Sequence, residues 1–284
     1  MIYYGVCGEG LAHSMRAILL VEKLKRPTTF FSYGDGYEFI KNCGFSVVKI
    51  DGMEFKTSGG KINQLQTIKS GLKFLWNMQP KMNGSPELCI SDWEPTICKF
   101  ARKNNIPLIS TASQHKFKFW DSSRLPLRYR AYSQLAKLFC EFFPADKYII
   151  PTSQLKFINE ADNVYPVNSF IDPSLKNISK DFTLIYAKPK ELREELSNKY
   201  PEAIVFGEQK NRNFHYYLAR SKEVHATAGC QLIGECLFLK KKLVTYPIQG
   251  QIEQEINHFD YINTPPDSYY SNGLYEAARI INEM

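Results

Sequence analysis

The chain has 284 residues, 44% apolar and 23% charged, which fits one large or two small folded domains and excludes a disordered or low-complexity chain. Its formal net charge of +7 favours anionic partners: phosphates, nucleic acid or an acidic membrane surface. The seven cysteines are widely spaced and form no C-x-x-C pair, which argues against zinc and redox motifs and for a reducing compartment.

Ile2–Val6 reads as a strand with no basic leader before it, and no apolar run reaches the ~18 residues of a spanning helix. A cytoplasmic protein, peripheral at the inner membrane surface at most, is expected. A helix is predicted over Ser14 to Lys25. Strands are predicted at 28–32, 45–50, 88–91 and 107–110, and short apolar strands alternating with helices argue a parallel sheet covered on both faces. Residues 115 to 147 are dense in Arg, Lys, Phe and Tyr. A hinge-like stretch from Tyr165 to Lys180 carries Pro166 and Pro173. The alternation then restarts, with strands predicted at 183–186, 203–206, 224–227 and 243–246. Two runs of one pattern predict two Rossmann-like α/β domains facing each other across a cleft, at 1–165 and 166–267. A last amphipathic helix at 268–284, with Leu274, Ala277, Ala278 and Ile281 on one side, is expected to pack back on the first domain.

Two constellations carry chemistry. The first joins the opening strand to the first helix: Cys7-Gly8-Glu9-Gly10-Leu11-Ala12-His13-Ser14. Gly8 and Gly10 allow backbone to approach a ligand, and a helix N-terminus offers free N–H groups to an anion. The same dipole disfavours charge on His13, leaving a neutral imidazole able to take a proton. Ser14 is a capping candidate. No Gly-Lys-Ser/Thr follows, and the dinucleotide fingerprint lacks its third glycine and its acidic residue, so an ordinary tight turn is the competing account.

The second begins at Thr227-Ala228-Gly229, where a strand ends and a helix from Cys230 to Lys240 begins. Glu235 lies there between Leu232 and Phe238 on a largely apolar side, where a carboxylate needs a partner. A ribose with two adjacent hydroxyls would serve; so would a salt bridge. Beyond the next strand, Gln251, Glu253, Gln254 and Asn257 crowd carboxamides and carboxylates that suit sugar hydroxyls, or a solvated helix start.

In this order the pieces resemble the GT-B glycosyltransferases, in particular family 28 and its MurG-like members. The resemblance rests on Gly8 through Arg16, Ser32-Tyr33-Gly34-Asp35-Gly36, Ser91-Asp92-Trp93-Glu94-Pro95, Gln114-His115, and Thr227-Ala228-Gly229 through Glu235 to Asn257. It implies a GT-B fold and metal-independent, inverting transfer of a sugar from a nucleotide diphosphate, a UDP-sugar by the family's habit, with no cofactor. By the same resemblance Gly8 and Gly10 border the diphosphate and acceptor, Ala228 and Gly229 the donor phosphates, Glu235 the ribose, and Gln254 and Asn257 the donor sugar. His13 and Asp92 compete for the role of base. Ala12 departs from the family's usual glycine, and Cys230 replaces a more usual aromatic or small polar residue.

The acceptor side is expected at Gln114, His115, Lys116 and Arg124, within a stretch where bases alternate with Phe117, Phe119, Trp120 and Tyr129. That interleaving suits a lipid-linked acceptor at an anionic membrane touched through 115–143, a nucleic acid, or a soluble glycan. It also suits a loop and helix whose aromatics are core. Two other functions share the fold: a UDP-sugar 2-epimerase, which needs no acceptor, and a non-catalytic sugar-nucleotide-binding subunit.

Overall fold

The fold is that of a computed structural model, which describes residues 1–53, 57–58, 61–62, 64–79, 82–121, 123, 125–153, 155, 158–159, 161–178, 180–206, 214–263 and 270–283. The chain divides into two compact units: Met1–Lys56 with Asn63–Phe170 and Gly273–Met284, and Thr57–Ile62 with Ile171–Asn272. The division falls after Phe170, five residues beyond the predicted 165.

The first unit carries strands β1 (Ile2–Val6), β2 (Thr28–Ser32) and β3 (Val47–Lys49) with helices α1 (Ala12–Val21) and α2 (Gly34–Asn42) between them. A two-residue hairpin pair follows, β4 (Thr57–Ser58) and β5 (Lys61–Ile62), grouped with the second unit. Then come α3 (Gln64–Asn77), β6 (Leu88–Asp92), α4 (Pro95–Lys103), β7 (Leu108–Ser110), α5 (Lys116–Phe119), α6 (Leu127–Cys140), β8 (Lys147–Pro151) and β9 (Val164–Val167). The sheet is all parallel in the order β3-β2-β1-β6-β7-β8-β9. Its inner strands are buried along their length because helices cover both faces: every residue of β1 and of β6 is buried, the polar Ser91 and Asp92 at the end of β6 included. β8 and β9 were not predicted. β9 overlaps the start of the stretch read as a hinge, and its Pro166 is tolerated because the strand is the sheet's edge.

The second unit runs β10 (Thr183–Tyr186), α7 (Lys190–Lys199), β11 (Ile204–Phe206), α8 (Phe214–Arg220), β12 (Glu223–Thr227), α9 (Cys230–Phe238), β13 (Lys242–Tyr246) and α10 (Ile252–Asn263), with the parallel order β11-β10-β12-β13. The last helix, α11 (Leu274–Asn282), belongs to the first unit. There Leu274, Ala277, Ala278, Ile280 and Ile281 join Ile18, Leu20 and Phe170 in one core.

One local prediction is overturned. Helix α1 begins at Ala12, so Ser14 lies inside it rather than at its cap. Its Oγ is buried and, among the described residues, has no hydrogen-bond partner.

Candidate functional site

In the first unit β1 has β2 on one side and β6 on the other. The chain therefore leaves β1 in opposite directions on its two sides, and the connections beyond the carboxyl ends of β1 and β6 diverge, which is where open α/β sheets bind ligands. Val6 and Asp92 are register partners at that end, so the 7–11 loop and the 93–94 loop leave the sheet side by side.

Local backbone fixes both loops. A Cβ on Gly8 would fall 1.9 Å from the Tyr33 carbonyl oxygen, and Gly36 N–H donates to Gly8 O at 3.2 Å. The two glycine motifs therefore interlock, and Gly8 is spent on that packing. Gly10 takes φ +75°, a conformation that favours glycine. Trp93 takes φ +57°, which is strained for a bulky residue. Its ring stacks on Phe143 at 4.1 Å, and the turn it makes lets Glu94 cap α4, accepting from Thr96 N at 2.8 Å and Ile97 N at 2.7 Å. Burial pushes the Glu94 carboxyl up to about 7, against those bonds.

The strand end carries Asp92, fully buried. Its Oδ1 lies 2.9 Å from His13 Nδ1, and Arg16 donates from Nε to Oδ2 at 2.5 Å and from Nη2 to Oδ1. Burial alone would raise the Asp92 pKa. The Arg16 guanidinium and His13 outweigh it and hold the carboxyl below its ordinary value. Arg16 Nη2 also lies 2.8 Å from His13 Nδ1. One ring nitrogen cannot donate and accept at once, and the carboxylate is the stronger partner. The consistent assignment has Nδ1–H donating to Asp92, which leaves the Nε2 lone pair available. The structure thus joins the two rival candidates into one unit in which the Asp92 carboxylate is engaged and the His13 Nε2 is the nitrogen left over. Arg16, three residues after His13 and on the same helix face, is the member that sequence reasoning gave no role.

The acceptor-side set is placed differently. His115 is buried, with Nε2 donating to Phe143 O at 3.0 Å and Nδ1 bonded to Ser110 Oγ at 2.7 Å. Burial pushes its pKa down to about 3. Both nitrogens are used, so His115 is a core histidine. Lys116 is also buried, with its ammonium over the Phe117 and Trp120 rings. Gln114 is half-buried, and Arg124 lies outside the described residues.

In the second unit β10 lies between β11 and β12, so the same reversal falls between β10 and β12. Thr227 and Ala228 are buried at the end of β12. Gly229 is the N-cap of α9 with φ −72°, and a Cβ there would meet nothing within 4 Å. Glu235 is buried one turn further. Its Oε1 accepts from Gln231 Nε2 at 3.0 Å and His215 Nε2 at 3.2 Å, while among the described residues Oε2 has no partner. Burial would lower the His215 pKa, but its bond to Glu235 raises it above the ordinary value. Asn257 Nδ2 donates to Ala228 O at 3.0 Å and Gln254 Oε1 accepts from Ile248 N at 3.1 Å, so the first amide braces the turn before α9 and the second the loop before α10. Gln251 and Glu253 are half-buried at the start of α10. Among the described residues no three His, Cys, Asp or Glu side chains converge as metal ligands would.

A family model described as glycosyl transferase family 1 matches residues 1–160 and 164–264. No curated protein sequence matches. Solved structures similar in fold include a glycotransferase of kitacinnamycin (TM-score 0.62, 11% identity, 100% of this chain and 90% of that one). Acinetobacter baumannii MurG is another (0.52, 10%, 100% and 99%). So is the Neisseria meningitidis UDP-GlcNAc 2-epimerase bound to UDP-GlcNAc (0.54, 14%, 100% and 99%). At such identities the likeness is one of fold.

Proposed function

The chain belongs to glycosyl transferase family 1 and is a glycosyltransferase of the GT-B class, and we propose that it moves a hexosyl group from a UDP-sugar to an acceptor hydroxyl by metal-independent inverting displacement. The observation that carries this reading is the buried Asp92 bonded to His13 Nδ1. An imidazole oriented by a carboxylate, with its other nitrogen free, is a general base, worth roughly 10²–10⁴-fold in rate.

His13 Nε2 takes the acceptor proton as the hydroxyl oxygen attacks the anomeric carbon. The bond from that carbon to the phosphate oxygen breaks, UDP leaves with the electron pair, and the configuration inverts. The proton stays on the imidazolium, which Asp92 stabilises. Asp92 and Arg16 act as positioning residues: Arg16 keeps the carboxylate ionised and fixes its plane, and Asp92 fixes the tautomer.

On the donor side, Gly229 at the N-terminus of α9 borders open space, which suits the phosphates of the donor. The positive end of that helix supplies the charge stabilisation that the leaving diphosphate needs. Glu235 Oε2 is the carboxylate oxygen available to the ribose hydroxyls. UDP is preferred because a protein of this fold binds UDP-GlcNAc. The acceptor is a lipid-linked sugar or a glycan, with a modified nucleic-acid base as the other candidate.

The test is a thermal-shift screen across UDP-, GDP-, dTDP- and CMP-sugars, in which only the true donor class at a hundredfold excess over its Kd adds about 2.7 kcal/mol of stability. No response to any nucleotide sugar would remove the donor assignment. The likeness to the Neisseria enzyme supports 2-epimerisation as a second reading. It is distinguished by incubation with UDP-GlcNAc alone, which yields an epimer only under that reading.

A further inference from the structure

The basic-aromatic stretch from residue 115 turns inward: His115, Lys116, Phe117, Trp120 and Tyr129 are all buried. What faces solvent instead is the outer side of α6. Leu127, Ala131, Leu135 and Leu138 are all exposed, as is Phe142 in the turn that follows. The four helical residues follow one another at steps of four, four and three, which is one continuous stripe on a helix. Leu127 is 81% and Leu138 66% exposed. The neighbouring helix α3 adds Leu72 and Trp76 at i, i+4, with Trp76 87% exposed. The two helices lie close together at Gly71, where a Cβ would be 4.0 Å from Phe139 Cζ. Monomeric proteins rarely show so much contiguous apolar side chain without a partner.

The charges on the two helices name the partner. Between them α3 and α6 carry Lys69, Lys73, Arg128, Arg130 and Lys137, all exposed, and no acidic residue at all. The acidic residue next to them, Glu141 in the turn after α6, is paired with Lys118 at 3.1 Å. An apolar stripe flanked almost wholly by cations is the pattern of a helix that lies in the plane of an anionic bilayer, its leucines below the headgroups and its bases among the phosphates. Among the described residues no helix is long and apolar enough to cross a membrane. A nucleic acid fits less well, because leucines do not stack on bases.

We propose that the outer face of α6, together with Leu72 and Trp76 of α3, is a docking surface for an anionic lipid bilayer. The inner side of α6 packs Phe139 against Trp93, the residue after Asp92. The surface stands whether or not His13 is the base.

The experiment floats the full-length protein with vesicles of phosphatidylcholine alone or with 30 mol% phosphatidylglycerol, at low and high salt. Binding is expected to the anionic vesicles only, with a blue shift of Trp76 fluorescence, and each removed cation should weaken it roughly fivefold. Trp76→Ser and Leu138→Asp should each abolish flotation without moving the thermal midpoint, since both side chains are solvated. Three outcomes would overturn the proposal: no flotation with either vesicle, flotation indifferent to both substitutions, or a stable dimer that Leu138→Asp splits. Salt-sensitive DNA binding lost in Lys73→Glu with no vesicle binding would reassign the face to nucleic acid.

Discussion

Arg16 and Asp92 form a doubly hydrogen-bonded ion pair that is almost wholly removed from water. Breaking one partner of a buried pair leaves the other charge uncompensated and costs about 3–5 kcal/mol, whereas an apolar replacement of both is tolerated. Asp92→Ala should therefore lose both stability and turnover. Asp92→Ala with Arg16→Met should recover most of the stability, read by urea unfolding, while turnover stays down ~10²-fold or more. Recovery of both together would mean that Asp92 serves the fold and not the base.

His13→Ala is expected to lose ~10²–10⁴-fold in kcat with donor affinity nearly unchanged, because the imidazole acts on the acceptor proton. Steady-state kinetics with the donor found by the thermal-shift screen provides the measurement. A fall confined to KM would place His13 in binding.

Glu94 gives stability a definite pH dependence. Its folded carboxyl keeps its proton up to about 7, against 4.5 in the unfolded chain. Between those values the folded state binds more protons, so stability is greatest below 4.5 and falls as pH rises to about 7. The loss from this group is of order 3 kcal/mol. Unfolding free energies at pH 5 and 7.5 should converge in Glu94→Gln; an unchanged slope would locate the titration elsewhere.

Gly8→Ala and Gly229→Ala should behave oppositely. The first drives a methyl into the Tyr33 carbonyl and should cost roughly 1–3 kcal/mol by overpacking. The second meets nothing within 4 Å at an ordinary φ and should leave the thermal midpoint alone. It should nonetheless weaken donor binding, because its methyl occupies the space the phosphates would enter. Full donor affinity in Gly229→Ala would move the diphosphate away from α9.

Glu235→Ala should raise the donor Kd and also release His215, whose raised pKa depends on that carboxylate. Folded His215 holds its proton more tightly than the unfolded chain. Its contribution is thus complete below pH 6.5 and fades as pH rises past its folded pKa. NMR titration of His215 should show the shift vanish in the variant. Donor affinity equal to that of the unchanged protein would remove Glu235 from the ribose.

The residues themselves determined the two-part α/β class, the strand cores and the turns before His13 and Cys230, because continuous apolar runs and glycines are local signals. Even there Pro166 disguised β9 as a hinge, since proline's tolerance at an edge depends on neighbours a local pattern does not contain. Tertiary structure alone decided which polar residues have partners. His13 and Asp92 are 79 positions apart and meet only because β6 pairs with β1 in register. His115 looked like a ligand group until Ser110 and Phe143 O closed on its two nitrogens. Burial and pairing are properties of chain segments distant in sequence, so the chemistry of each of these side chains was fixed by what the fold packed against it.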